Sequence, residues 1–288
     1  MLWVLNSYAQ EFNTHWISYP LPNDSSEVWF RKSYRLTQKP IQAFMSIAST
    51  GCYKLYINER NVTGSLLFEG RKDGMLQYHT LDVTRYLKSG SNVIAIWYAP
   101  DGVFSQGKQI SAEFYGWQQD SIPFYFHTDG SWLTYQLKGC SNGQKELFDA
   151  RTDVLSWKST DDFHSQGWLH PTGSFGIDTT YACQEKWIYK AENKLYRILA
   201  PAHFRTDSLG YHIDFGRPFR GTIRLTLRNA HKGDLLYIND YQYTCNGELD
   251  EQAFFRFKLQ QERNYTLAWS RRFKKSYIMN IEGLEIEE

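Results

Sequence analysis

Tyr53-Lys-Leu-Tyr-Ile-Asn-Glu59, then Leu66-Leu-Phe-Glu-Gly70, then Tyr78-His-Thr-Leu-Asp-Val-Thr-Arg-Tyr-Leu-Lys-Ser-Gly-Ser-Asn-Val93 form the stretch whose reading decides the fold. Aromatic and β-branched residues alternate with polar ones at the period of two that a half-buried strand requires. The first run turns at Asn58-Glu59, and a return strand follows. The third run ends in a one-turn helix capped by Asp82 or Thr84. Gly90-Ser91-Asn92 then launches a further strand, Val93 to Tyr98.

The same alternation extends in both directions. Val28 to Leu36 and Ala43 to Ala48 read as strands on the N-terminal side, separated by the breaker Lys39-Pro40. Gly51 is expected at a tight bend or bulge. On the C-terminal side, Ile110 to Trp117, Ile122 to His127 and Trp132 to Leu137 continue the pattern, with a turn at Thr128-Asp129-Gly130-Ser131. A second β unit starts near Lys194: Tyr211 to Leu225, the hairpin turn Lys232-Gly233-Asp234, Leu235 to Tyr243, Phe254 to Leu259 and Tyr265 to Trp269. The fold class expected is all-β, two successive antiparallel β-sandwich modules. The first spans 10–175 and the second 194–288, joined by a linking region at 176–193 with a strand at Lys186 to Tyr189.

Composition excludes several classes of function. Net charge is +1 with acids and bases interspersed, so there is no electrostatic footprint for nucleic acid or an anionic membrane. The short basic run Arg271-Arg272 and Lys274-Lys275 reads as a solvated face. No stretch approaches the roughly 20 apolar residues of a membrane-spanning helix. Leu2-Trp3-Val4-Leu5 followed by Ser7-Tyr8-Ala9 reads as the tail of a secretory signal at 1–9, which makes the protein exported, periplasmic or extracellular. Cys52, Cys140, Cys183 and Cys245 form no CxxC pair, which argues against zinc. Two disulfides in three connectivities are open to them, and Cys52 is expected to pack as a small buried hydrophobe.

Tyr-x-Leu-Tyr-Ile-Asn at 53–58 and Tyr-x-Thr-x-Asp-Val-Thr-x-Tyr-Leu-Lys-x-Gly-x-Asn-Val at 78–93 resemble the galactose-binding-like, jelly-roll β-sandwich that flanks catalytic domains in bacterial glycoside hydrolases. More narrowly, they resemble the N-terminal domain of bacterial α-L-rhamnosidases. Phe30-Arg31-Lys32-Ser33-Tyr34, Glu146-Leu147-Phe148-Asp149-Ala150-Arg151, Trp157 and Asp161-Asp162-Phe163-x4-Trp168 follow in the family's order. So does Asp214-Phe215-Gly216, where Pro218 replaces the usual Asn. The loop after Tyr98 departs from the pattern: Val103-Phe104 stand where the family has Trp-Tyr, and Glu59 stands where it has Gly.

The resemblance implies a non-catalytic carbohydrate-binding accessory protein for which a rhamnose-containing glycan is the first ligand to consider. Loops at one end of such a sandwich would carry the sugar contacts: Trp97 and Tyr98 at the strand end, Asp101 and Phe104 after it, Glu69 and Arg71 opposite. Trp97 also fits a core position, since it alternates with Ile96 and Ile94. Asp149 and Arg151 read as a structural ion pair. This class of sandwich often holds a structural calcium, but no Asp-x-Asp-x-Asp loop localises one, and no cofactor is assigned. The family's helical toroid, which carries the two carboxyl groups of glycoside hydrolysis, finds no counterpart in the sequence. The adjacent acids Asp161 and Asp162 would point apart. The alternative reading is a truncated or split part of an α-L-rhamnosidase whose β modules pack on a separate catalytic domain.

Overall fold

In a strand that is buried on both faces, alternation sorts side chains into two cores. That is the case for Ser26–Leu36, where Val28, Phe30 and Tyr34 enter one core and Trp29 enters another. The computed structural model in which this is seen describes residues 15–21, 26–63, 71–72, 75–100, 109–141, 145–152, 155–161, 163–173, 184–188, 194–208, 210–257 and 259–287. Regular structure among them is extended strand, interrupted by short 3-10 turns.

The strands of the first unit are β1 (Trp16–Ser18), β2 (Ser26–Leu36), β3 (Pro40–Ser49), β4 (Cys52–Ile57), β5 (Arg60–Asn61), β6 (Arg71–Lys72) and β7 (Met75–Asp82). They continue with β8 (Gly90–Ala99), β9 (Gln109–Gln118), β10 (Pro123–His127), β11 (Leu133–Ser141), β12 (Glu146–Asp149), β13 (Thr172–Gly173) and β14 (Gln184–Ile188). The second unit holds β15 (Lys194–Leu199), β16 (His203–Asp207), β17 (Gly210–Leu227), β18 (Leu235–Ile238), β19 (Tyr241–Thr244), β20 (Glu251–Phe254), β21 (Gln260–Trp269) and β22 (Ile278–Glu287).

One sheet runs β13-β1-β9-β3-β7-β14, with β10 also on β9 and β6 on β7. It faces the β11-β2-β8-β4 portion of a second, longer sheet. Between them lie Phe30, Met45, Tyr53, Ile96, Tyr98 and Phe114. The longer sheet then continues into the second unit as β12-β19-β18-β21-β17-β22-β15. There β17 bends at a register shift between Asp214 and Phe219, where Gly216 has φ 79° and Pro218 cannot donate to a ladder. Its two halves pair with different strands, and the sheet closes over Ile213, Phe219, Leu225, Phe255 and Tyr265.

The all-β sandwich expectation holds, but the joint between units differs from a linker. β12, expected to close the first sandwich, pairs antiparallel with β11 there and on its other side parallel with β19, Glu146 opposite Tyr241 and Asp149 opposite Thr244. β14, inside the expected linking region, pairs parallel with β7 and belongs to the first sheet. Trp29, Trp97, Trp157 and Phe148 share one apolar core with Tyr243, Phe255 and Phe257 of the second unit. Trp29 and Trp157 stack at 4.5 Å with 6° between their planes. Arg31 fixes that stack: its Nε donates to the Trp157 carbonyl at 3.0 Å and Nη2 to Ser159 at 2.7 Å, while its guanidinium lies 3.6 Å from the centre of the Phe163 ring. This is the work of the arginine in Phe30-Arg31-Lys32.

The opening motif also acquires a physical account. Asn58 Nδ2 donates to Asn92 Oδ1 and to the Tyr86 carbonyl, both at 2.9 Å, while Val93 N–H donates to Asn58 Oδ1 at 3.0 Å. The two asparagines therefore lock the Asn58-Glu59 turn to the start of β8. The single turn at Thr84–Tyr86 is 3-10, and Val83 occupies its N-cap with no side-chain bond. Asp82 acts from one residue earlier, accepting from Thr84 N–H at 2.9 Å. Cys52 is buried, and Cys245 is a buried free thiol, which excludes the two-disulfide reading. No helix among the described residues is long and apolar enough to cross a membrane. The expected leader at 1–9 lies outside the described residues.

Candidate functional site

The β12–β19 pair has two faces with different chemistry. On the inner face Glu146, Phe148, Tyr241 and Tyr243 point into the shared core. Glu146 accepts from the backbone N–H of Arg256 at 2.7 Å and of Phe257 at 3.1 Å, so a first-unit carboxylate receives second-unit backbone. The Arg256 guanidinium lies 3.4 Å from the centre of the Phe148 ring and donates to Tyr241 Oη at 2.9 Å. Glu27 and Lys54 reach the same cluster from β2 and β4. Glu27 Oε2 accepts from Trp97 Nε1 at 2.8 Å, and the Lys54 ammonium sits 5.1 Å from the Phe257 ring centre.

Burial sets the protonation of this cluster. Glu27 is pushed up to about 8, first by loss of water and then by the charge of Glu146. Its Oε1 is buried with no hydrogen-bond partner in the structure. Lys54 is pushed down to about 7, first by burial and then by Arg256. Two carboxyl groups thus sense each other here, as a pair of catalytic acids would. Both are sealed inside the core, Glu27 at 0% and Glu146 at 1% exposure, and Glu146 is engaged by backbone amides. The cluster is a charged clasp between the units.

On the outer face of the same strands lies a groove of about 340 Å3. Leu147, Phe148, Asp149 and Arg151 line it from the first unit, and Gly233, Leu235, Gln242 and Thr244 from the second. Asp149 and Arg151 form the expected ion pair: Nε donates to Oδ1 at 2.8 Å and Nη2 to Oδ2 at 2.7 Å. That partner raises the Arg151 pKa above its usual value.

A third feature is the outer face of the first sheet. Registers place Pro123, Trp117 and Gln42 in one cross-strand row and Tyr125, Tyr115, Phe44 and Asp82 in the next. Trp117 and Tyr125 are each 41% exposed. Glu113, buried in the row after, has its pKa raised by desolvation. These residues were read only as strand formers. The signal was available, because Tyr115 and Trp117 occupy the phase opposite to the core residues Ala112 and Phe114.

The residues expected to touch sugar fare differently. Trp97 and Tyr98 are core residues, which corrects their reading as a stacking surface. Trp97 is enclosed by Trp29, Phe148, Trp157 and Phe257, and Tyr98 bonds Thr50 at 3.1 Å inside the sandwich. β8 is covered on both faces, so neither phase is left for solvent. Glu69, Asp101 and Phe104 lie outside the described residues, as does the side chain of Arg71. Among the described residues no group of three His, Cys, Asp or Glu side chains converges. In the basic run, Arg272 Nε donates to Asp234 at 2.8 Å and Lys275 covers the Tyr211 ring at 3.9 Å.

Fold and site together define an all-β double sandwich joined through a common sheet and a sealed charged clasp. Residues 38–186 match the α-L-rhamnosidase N-terminal domain family, and the chain belongs to it. Among solved structures, the α-L-rhamnosidase of Dictyoglumus thermophilum superposes with a TM-score of 0.79 at 17% identity, over 96% of this chain and 36% of that one. The enzyme from Aspergillus terreus gives 0.78 at 17% identity, again over 96% and 36%. The Streptomyces avermitilis α-L-rhamnosidase, solved with L-rhamnose, gives 0.74 at 18%, over 92% and 29%. At these identities the likeness is one of fold, and the chain spans about a third of the length of these enzymes. No curated protein matches in sequence.

Proposed function

We propose that this chain is a carbohydrate-binding accessory unit of the α-L-rhamnosidase kind, with the outer face of the first sheet as its glycan platform. The observation that carries the reading is the cross-strand patch in which half-exposed Trp117 and Tyr125 stand among Gln42, Tyr115 and Asp82. A rigid sheet holds the rings without an ordering cost, their faces suit the C–H side of a pyranose, and neighbouring polar groups suit its hydroxyls. Titration calorimetry of the full chain with rhamnose-containing oligosaccharides tests it. Trp117→Ala should weaken binding roughly tenfold. Absence of binding to any glycan would sink the reading. Export belongs to this reading too, and N-terminal sequencing of the native protein checks it.

A second reading, that the β units pack on a separate rhamnosidase catalytic domain, is favoured by the edge of the second unit. Leu195, Tyr196 and Ile198 of β15 and Phe204 of β16 are all more than half exposed or at half. Exposed apolar side chains of this size suit burial against a partner. Co-purification with an α-L-rhamnosidase catalytic domain, lost on Leu195→Asp plus Ile198→Asp, would support this reading; co-purification that survives both substitutions would remove it.

A further inference from the structure

The outer groove on the β12–β19 pair exists only where the two units meet, because each contributes about half of its lining. Its volume of about 340 Å3 lies at the small end of the range for ligand sites. The lining selects a chemical class. Asp149 and Arg151 neutralise each other through two parallel hydrogen bonds, so a charged ligand would have to break that pair or leave its own charge uncompensated. An apolar ligand would strip water from Asp149, Arg151, Gln242 and Thr244 and return no hydrogen bonds.

A neutral polyol meets both demands. Its hydroxyls can donate to the carboxylate and to the Gln242 amide oxygen, and accept from the guanidinium and the amide nitrogen. Leu147 and Leu235 supply an aliphatic wall for its C–H face.

The walls are held before any ligand arrives. Thr152 Oγ1 donates to the Asp149 carbonyl at 2.7 Å, and Gly233 N–H donates to the Cys245 carbonyl at 2.8 Å. Gly233 has φ 89°, so the turn that carries it into the groove wall requires glycine.

We infer that this groove binds a neutral polyhydroxyl ligand the size of one sugar ring, and that occupancy holds the two units in their joined arrangement. The second part follows by mass action: a ligand gripped from both sides stabilises the joined state and no other. The ligand class comes from the groove's own lining and does not depend on the platform of Trp117.

The experiment is thermal unfolding and calorimetry of the full chain with L-rhamnose, D-galactose, D-mannose and, as a charged arm, D-glucuronate. At least one neutral sugar should raise the midpoint of wild type. Gln242→Met and Arg151→Met, tested separately so that either suffices if the other fails to fold, should weaken that sugar about tenfold. Trp117→Ala should leave the protection intact. The inference is overturned if no neutral sugar protects wild type, if both groove variants bind as wild type does, or if glucuronate is preferred. Protection abolished by Trp117→Ala alone would overturn it while leaving the platform reading standing.

Discussion

Glu27 shows how one residue can carry a structural role that its type alone does not suggest. A fully buried carboxyl group with one bonded oxygen is stable only when it keeps its proton, and among the described residues the indole N–H of Trp97 is its one donor. Because the folded protein holds this proton more tightly than the unfolded chain, the associated stability is complete below about pH 4.5 and is lost as pH rises through about 8. Lys54 has the opposite slope: its pKa is lowered, and stability tied to it is present above about 10.5 and lost as pH falls through about 7. Glu27→Gln removes the first contribution and keeps the shape. Its stability relative to wild type should therefore improve steadily from pH 5 to pH 7, by up to about 1.4 kcal/mol per pH unit. Urea midpoints across that range measure it, and a difference that stays flat with pH would show that Glu27 is ionised in the fold. Trp97→Phe deletes the donor and should cost about 1–3 kcal/mol by the same measurement.

At the scale of elements, the β4–β5 hairpin is a two-residue turn, with Ile57 opposite Arg60 and both Asn58 at φ 50° and Glu59 at φ 71° in the left-handed region. Glu59 stands where the resembling family has Gly. The structure retains a turn with positive φ at both central positions and places the burden on Glu59, since a side chain there crowds its own carbonyl. Glu59→Gly should stabilise the protein by about 0.5–1 kcal/mol, net of the extra freedom glycine gives the unfolded chain. A lower urea midpoint in the variant would contradict this. The hairpin also illustrates which features could be read in advance. Local alternation located the strands and the turn at Asn58-Glu59, whereas the bond from Asn58 to Asn92 that locks the turn shows only in the structure. What escaped was set by partners distant in sequence. Alternation says that β8 has two faces but not that both are covered, so Trp97 was open to reading as a sugar contact. Nothing near Glu146–Asp149 announces that its neighbour will be Tyr241–Thr244.

The molecule as a whole follows from that long-range pairing. A linker would let each sandwich fold and melt by itself, whereas here one sheet and one core cross the joint, and Glu146 binds the backbone of Arg256 and Phe257 inside it. Separating the units would bare Trp97, Phe148, Tyr243 and Phe257 together and part the Glu146 carboxylate from the Arg256 and Phe257 backbone amides and the Arg256 charge. Uncompensated buried charge and a bared aromatic face each cost several kcal/mol, a large fraction of the stability of an ordinary domain. The full chain should accordingly unfold in urea as one cooperative transition, with tryptophan fluorescence and far-ultraviolet circular dichroism superimposing. The buried tryptophans, Trp16, Trp29, Trp97, Trp132, Trp157 and Trp168, all belong to the first unit and Trp269 is the second unit's one tryptophan, while both units contribute strand signal, so independent melting would pull the two curves apart. A fragment of residues 10–193, which keeps β14 on β7, should aggregate or bind a hydrophobic dye when expressed alone; a monomeric fragment with a sharp melt of its own would mean that the joint is a contact between two finished domains.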